Sequence, residues 1–338
     1  MNWTLFAVVV VFVFLASFAG TVLILRLLKS RAILDHPNER SSHVTPTPKG
    51  GGIAVVAAVL AGWVGISWDT PAAAISLSVV PAALALAALS WLDDLKGLSP
   101  LWRLLGQGAA VAFVLASTPS VKPFFGGLLP GALDGLAAGL LWLWFINLFN
   151  FMDGIDGLAG VETATLGLGI ALVAAAAGMS PALVIYGLAL LAGALGFLWW
   201  NWQPARIFLG DVGSVPLGFL LGWLLVETAA AGLWAPALIL PLYYLADATI
   251  TLAHRLLKRE KIWQAHREHF YQLAVQRGRS HATVGLAVLC ANLALITLAV
   301  AALSRPWPAL VAAVFVVAML LAWMRQVKTA TLQPPRAT

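Results

Sequence analysis

Charge is scarce in this chain. Only 10% of its 338 residues are Asp, Glu, Lys or Arg, against 61% hydrophobic, and the mean hydropathy is +0.91. A soluble domain of this length would need far more charge on its surface. Cysteine is almost missing too. A single Cys290 excludes an intrachain disulfide and a cysteine-built zinc site, and its apolar neighbourhood reads as packing. No basic residue precedes the first apolar run, and Arg26, Lys29 and Arg31 follow it. A cleaved signal has the opposite order, so the run reads as an uncleaved first span. Repeats and low-complexity linkers are also lacking, which leaves one transmembrane domain, 1–338.

Long apolar runs are what the chain has in plenty, and runs of about 20 residues mark membrane-spanning helices. Eleven fit, at about 3–27, 51–68, 72–92, 101–119, 132–151, 159–177, 181–202, 215–230, 234–254, 282–303 and 307–325. The expected class is an all-α, polytopic integral membrane protein. With eleven spans, the loops at 28–50, 93–100, 152–158, 203–214 and 255–281 share one side with the C-terminus. That side holds 18 of the 20 Lys and Arg, leaving Lys122 and Arg305 opposite. The positive-inside rule then places those loops and the C-terminus in the cytoplasm and the N-terminus outside. Basic residues spread over short loops fit membrane orientation and anionic small substrates, not nucleic acid.

Against this background a few polar residues stand out. Asn147, Asn150, Asp153 and Asp156 recur at three-residue spacing off the end of an apolar run. Three residues advance a helix by about 300°, so the four form one drifting polar stripe. Polar side chains at such depth usually mark a site. Asp93 and Asp94 end the third span. Adjacent acids repel unless a cation or a proton lies between them, which suits Mg2+ or a general base. In RIFLGDVGS, small residues before a new span expose backbone N–H groups suited to phosphate, and Asp211 offers a hard oxygen ligand. Arg40, His43 and Lys49 flank a three-glycine turn, a setting for an anionic ligand or for simple anchoring. The 255–281 loop is basic and amphipathic, as a helix on anionic headgroups would be. His266 and His269 would share one helical face there, and a bare anchor needs no histidines.

The stretches DHPNERSSH, TPTPKGGG, LDDLKG, NLFNFMDGIDGLAG, IFLGDVGS and HREHFYQ, in that order, resemble the polyprenyl-phosphate N-acetylhexosamine-1-phosphate transferases. These are the glycosyltransferase 4 type enzymes that initiate O-antigen and teichoic acid, related to the peptidoglycan phospho-MurNAc-pentapeptide translocase. The resemblance implies a bacterial inner-membrane enzyme with its site on the cytoplasmic face. It would transfer a sugar phosphate from a UDP-N-acetylhexosamine to undecaprenyl phosphate, release UMP and start a surface polysaccharide such as O-antigen. It further implies Mg2+, with Mn2+ as a substitute, held by Asp211 and Asp94. Asp93, Asp94 and Asp211 would be catalytic. Phe208 would stack on uracil, and Asn150, Asp153 and Asp156 would line the nucleotide pocket with Asn147 behind. His266 and His269 would contact phosphate or sugar, joined by Lys49, Arg40 and His43. The implied partners are the UDP-sugar, the lipid acceptor and membrane lipids, with a homodimer left open. The competing class is a transporter coupling intramembrane acids to a cation or H+, but such sites favour the bilayer midplane and repeated halves.

Overall fold

The computed structural model describes residues 3–35, 45–67, 73–117, 123–261 and 266–326. Arg40 and His43, expected in the site, lie outside the described residues. Helices dominate: α1 (Trp3–Ser30), α2 (Gly52–Ser67), α3 (Ala73–Lys96), α4 (Pro100–Ser117), α5 (Gly131–Phe151), α6 (Leu158–Ala176), α7 (Pro181–Asn201) and α8 (Asp211–Ala230). They continue as α9 (Trp234–Ile239), α10 (Leu242–Leu257), α11 (Phe270–Gln276), α12 (His281–Ala301) and α13 (Pro306–Arg325). Two two-residue strands, β1 (Leu34–Asp35) and β2 (Thr47–Pro48), pair antiparallel between α1 and α2.

Ten of the eleven expected spans coincide with one helix each, and among the described residues eight helices are long and apolar enough to cross a membrane. The ninth differs. The sequence predicts one span over 234–254, whereas the structure divides it into α9 and α10 around Leu240 and Pro241. Proline lacks the N–H that a continuous helix needs and crowds the preceding turn, so the break falls where the chemistry puts it. Helix starts follow local chemistry as well. Ser180 precedes Pro181 and accepts from the N–H of Ala182 at 3.3 Å, and Ser280 caps α12 by accepting from Thr283 at 3.1 Å.

Burial separates an inner from an outer layer. The spanning windows of α6 and α8 are 83% buried, those of α1 and α13 only 28% and 33%. The outer helices expose Val8, Leu15, Val311 and Phe315, as faces toward lipid should. Cys290 is exposed on α12 and does not pack into the core as expected. The starts of α2 and α8 meet in the interior. A Cβ on Gly52 would lie 2.2 Å from Gly213 Cα and 2.4 Å from Gly213 N. Only glycine lets these backbones approach so closely, and their contact brings distant motifs to one place.

Candidate active site

The segment before α2 is zipped to the segment before α8. Phe208 N–H donates to Pro48 O at 2.8 Å, Gly50 and Gly51 donate to Phe208 O at 3.1 and 2.8 Å, and Gly52 donates to Leu209 O at 2.8 Å. Of the two settings considered for the three-glycine turn, an open anion cradle is not the one formed, because its N–H groups already have carbonyl partners. Its smallness serves close packing instead, as a Cβ on Gly51 would meet the Phe197 ring at 2.5 Å. The zipper sets Lys49 beside the first turn of α8. Phe208 is half-buried along the same seam.

The start of α8 is likewise not left for phosphate. The Asp94 carboxylate accepts from Asp211 N–H at 3.2 Å and Val212 N–H at 2.9 Å, a negative cap on a helix N-terminus. Lys49 Nζ adds an ion pair to Asp94 at 2.7 Å and reaches Asp211 Oδ1 at 3.5 Å. Burial opposes the Lys49 charge, but the Asp211 and Asp94 carboxylates outweigh it and hold the ammonium above its ordinary range. Arg103 of α4 pairs with Asp93 Oδ2 at 3.0 Å and Asp211 Oδ2 at 3.5 Å. Leu98 N–H donates to Asp93 Oδ1 at 2.6 Å. The adjacent acids thus do not share one cation. They diverge into an alternating chain: Asp94, Lys49, Asp211, Arg103, Asp93.

This chain of charges borders a cleft of about 150 Å3 lined by Asp93, Arg103, Gln107, Asn147, Asn150 and Asp211. Asn147 Nδ2 donates to Gln107 Oε1 at 2.7 Å, and Asn150 Nδ2 to Ser214 Oγ at 2.8 Å. The polar stripe is only half helical, because α5 stops at Phe151 and the two acids lie in the turn beyond it. Asp153 is pushed up to about 7, first by burial and then by the Asp211 and Asp94 charges, against Lys49. Asp156 turns elsewhere. Its Oδ2 accepts from Ala205 N–H at 3.0 Å, and its Oδ1 lies 3.2 Å from His281 Nδ1. It ties the 203–210 loop to α12 and does not line the cleft.

His266 and His269 share no helical face, since α11 begins only at Phe270. They meet nonetheless, with ring centroids 4.9 Å apart. Burial, then His269 and Arg255, push His266 down to about 4, so it is neutral at pH 7. Sequence reasoning missed Arg103 and Gln107, and read Ser214 only as a small residue of the loop before α8. Arg103 and Gln107 carried a readable signal: two polar residues four apart in an apolar run, the same anomaly that exposed Asn147 and Asn150.

Asp211 is the acid best disposed toward a metal. Its side chain keeps 21% exposure at the cleft, and both cationic partners stand at 3.5 Å, a loose grip on a hard oxygen donor. Asp94, expected as a second ligand, fits poorly. It is 3% exposed and already engaged by two N–H groups and Lys49. Among the described residues no three His, Cys, Asp or Glu converge on a metal-sized point. A Mg2+ ion here would complete its shell from substrate oxygens and water, its usual habit.

The family model for glycosyl transferase family 4 matches residues 76–229, which include Asp93, Asp94, the Asn147–Asp156 stripe and Asp211. A curated relative from Bacillus subtilis (strain 168), described as "Probable undecaprenyl-phosphate N-acetylglucosaminyl 1-phosphate transferase", is 29% identical over 290 residues. The match covers 80% of this chain and 79% of the relative. With the matched motifs gathered around one polar cleft in a multi-pass helical membrane protein, the chain is similar to glycosyl transferase family 4 over residues 76–229.

Proposed function

We propose that this protein transfers an N-acetylhexosamine 1-phosphate from a UDP-sugar to undecaprenyl phosphate, releasing UMP. The product starts a cell-surface polysaccharide of the O-antigen kind. The observation that carries the reading is the alternating row of carboxylates and cations along a cleft of about 150 Å3. Both substrates are anions, and their approach requires neutralisation more than covalent chemistry. A phosphate monoester has its second pKa near 6, so the lipid phosphate arrives mostly as the dianion and needs little help from a base.

Arg103 and Lys49 supply the fixed positive charge. Each can exchange a carboxylate partner for a phosphate oxygen, and as Arg103 does so it leaves Asp93 able to take any remaining proton. Asp211, with Asn150 beside it, would hold Mg2+, which when bound neutralises the diphosphate and orients it. Asn147, Asn150 and Asp153 then flank the nucleotide side, with Phe208 available to stack on the base. The lipid phosphate attacks the β-phosphorus in line, and UMP leaves. An apolar cavity of about 330 Å3 between α5, α8, α9 and α10, walled by Trp142, Phe145, Leu225, Trp234, Leu238 and Leu245, suits a polyprenyl chain. The 18 of 20 basic residues assigned to one side support a cytoplasmic site in a bacterial inner membrane and the eleven-span topology.

The test is UMP release from UDP-N-acetylglucosamine with undecaprenyl phosphate and Mg2+ in detergent. Asp211→Asn is expected to abolish release while the protein still folds and inserts. Full activity in that variant removes Asp211 from the site. UMP release without lipid, or sugar phosphate trapped on the protein, refutes direct attack. No UMP from any UDP-N-acetylhexosamine returns the cation-coupled transporter.

A further inference from the structure

Asp247 of α10 belongs to none of the motifs above, yet its carboxylate is fully buried and is the most heavily engaged acid among the described residues. On Oδ1 it takes His269 Nδ1 at 3.1 Å, Phe270 N–H at 3.0 Å and Thr251 Oγ1 at 3.4 Å. On Oδ2 it takes Tyr271 N–H at 3.3 Å and the Tyr243 hydroxyl at 3.4 Å. A carboxylate surrounded by donors acts as acceptor only. The proton between it and His269 therefore sits on Nδ1, and Nε2 is the nitrogen left for other work.

The consequence extends beyond one ring. The residues that Asp247 grips open α11, and α11 lies on the turn that follows α5. The Tyr271 hydroxyl donates to Phe151 O at 3.1 Å. A Cβ on Gly154 would come within 2.1 Å of Tyr271 Oη and 3.2 Å of Gln272 Nε2. One buried acid thus anchors the histidine pair and, through Tyr271, the turn carrying Asp153.

We propose that Asp247 is a positioning residue for the transfer reaction. It fixes His269 as the Nδ1–H tautomer and seats α11 on the 151–154 turn, so that His266, His269 and Asp153 meet the substrate in one geometry. This rests on the reading that the histidines contact phosphate or sugar. The charged and titratable groups around Asp247 and the histidine pair are Tyr243 and Arg255 from α10, and Glu268 and Tyr271 from the histidines' own segment. Asp153 acts from the α5 turn through Tyr271, and Arg325 of α13 covers Phe270 with its guanidinium 5.0 Å from the ring centroid.

Two measurements test it. In protein labelled with 15N-histidine, His269 should show a protonated Nδ1 and a bare Nε2, and Asp247→Asn should mix the tautomers. A wild-type His269 protonated on Nε2 alone overturns the proposal without any activity being measured. In the UMP assay, Asp247→Asn and His269→Gln should each lower kcat about tenfold or more and change the pH–rate profile. The double variant should be no worse than His269→Gln, because the two act as a unit. Multiplying losses, or an Asp247→Asn defect confined to melting, overturn the proposal. If His269→Gln leaves kcat, KM and pH profile intact, it is the histidine reading that fails. Should Asp247→Asn not fold, the wild-type tautomer still decides.

Discussion

Replacing Asp94 by asparagine separates two roles that the sequence could not distinguish. As a proton acceptor or metal ligand, Asp94 would be needed for turnover and dispensable for folding. The structure assigns it structural work: it caps the first turn of α8 through Asp211 and Val212 N–H and pairs with Lys49 at 2.7 Å, with 3% of its side chain exposed. Asparagine keeps the shape but loses the charge, and its amide nitrogen must face a donor. An opposed backbone N–H costs about 1–3 kcal/mol. Breaking a buried ion pair costs about 3–5 kcal/mol, discounted here because Lys49 is 33% exposed and keeps Asp211 within reach. A loss of about 3 kcal/mol in all is expected. Asp211→Asn, acting on contacts of 3.5 Å at a 21% exposed side chain, should cost about 1 kcal/mol or less. Thermal melting in detergent, read beside UMP release, checks both. Asp94→Asn should melt clearly below Asp211→Asn. If Asp94→Asn melts as wild type and is inactive, the structural assignment is wrong and Asp94 acts on substrate.

Further outcomes follow from the same geometry. Gly52→Ala should destabilise the protein and lower activity, by about 1–3 kcal/mol or more for overpacking, because its Cβ would strike Gly213 backbone at 2.2 Å. Gly65→Ala, with nothing within 4 Å, is the control and should melt at or above wild type. Asp153, raised to about 7, contributes stability that is complete below the ordinary carboxylate range and lost as pH rises through about 7. Asp153→Asn should therefore gain on wild type in melts at pH 8 relative to pH 5; an equal difference at both pH values refutes the burial of that charge.

Much of the fold was legible because hydropathy is a local property. An apolar run long enough to span a bilayer forms its helix whatever surrounds it; the α9–α10 break at Pro241 is not readable in advance, since Pro81 and Pro216 lie inside unbroken helices. Polar residues in apolar runs likewise marked the site, since they are costly there without a use. The sequence by itself therefore determined the membrane class, most of the spanning helices and the neighbourhood of Asp93, Asp94, Asn150 and Asp211. Partnership needed the tertiary structure. Which donor faces Asp94 depends on residues 117 and 118 positions away, and Lys49 meets Asp211 across 162. No local pattern carries that information. Only the folded chain decided that the glycine turn is zipped shut, that Asp156 serves Ala205 and His281, and that Asp247 holds His269. Each outcome reflects one constraint: a buried donor or acceptor must find its partner inside the protein, and packing of distant helices decides which partner is within reach.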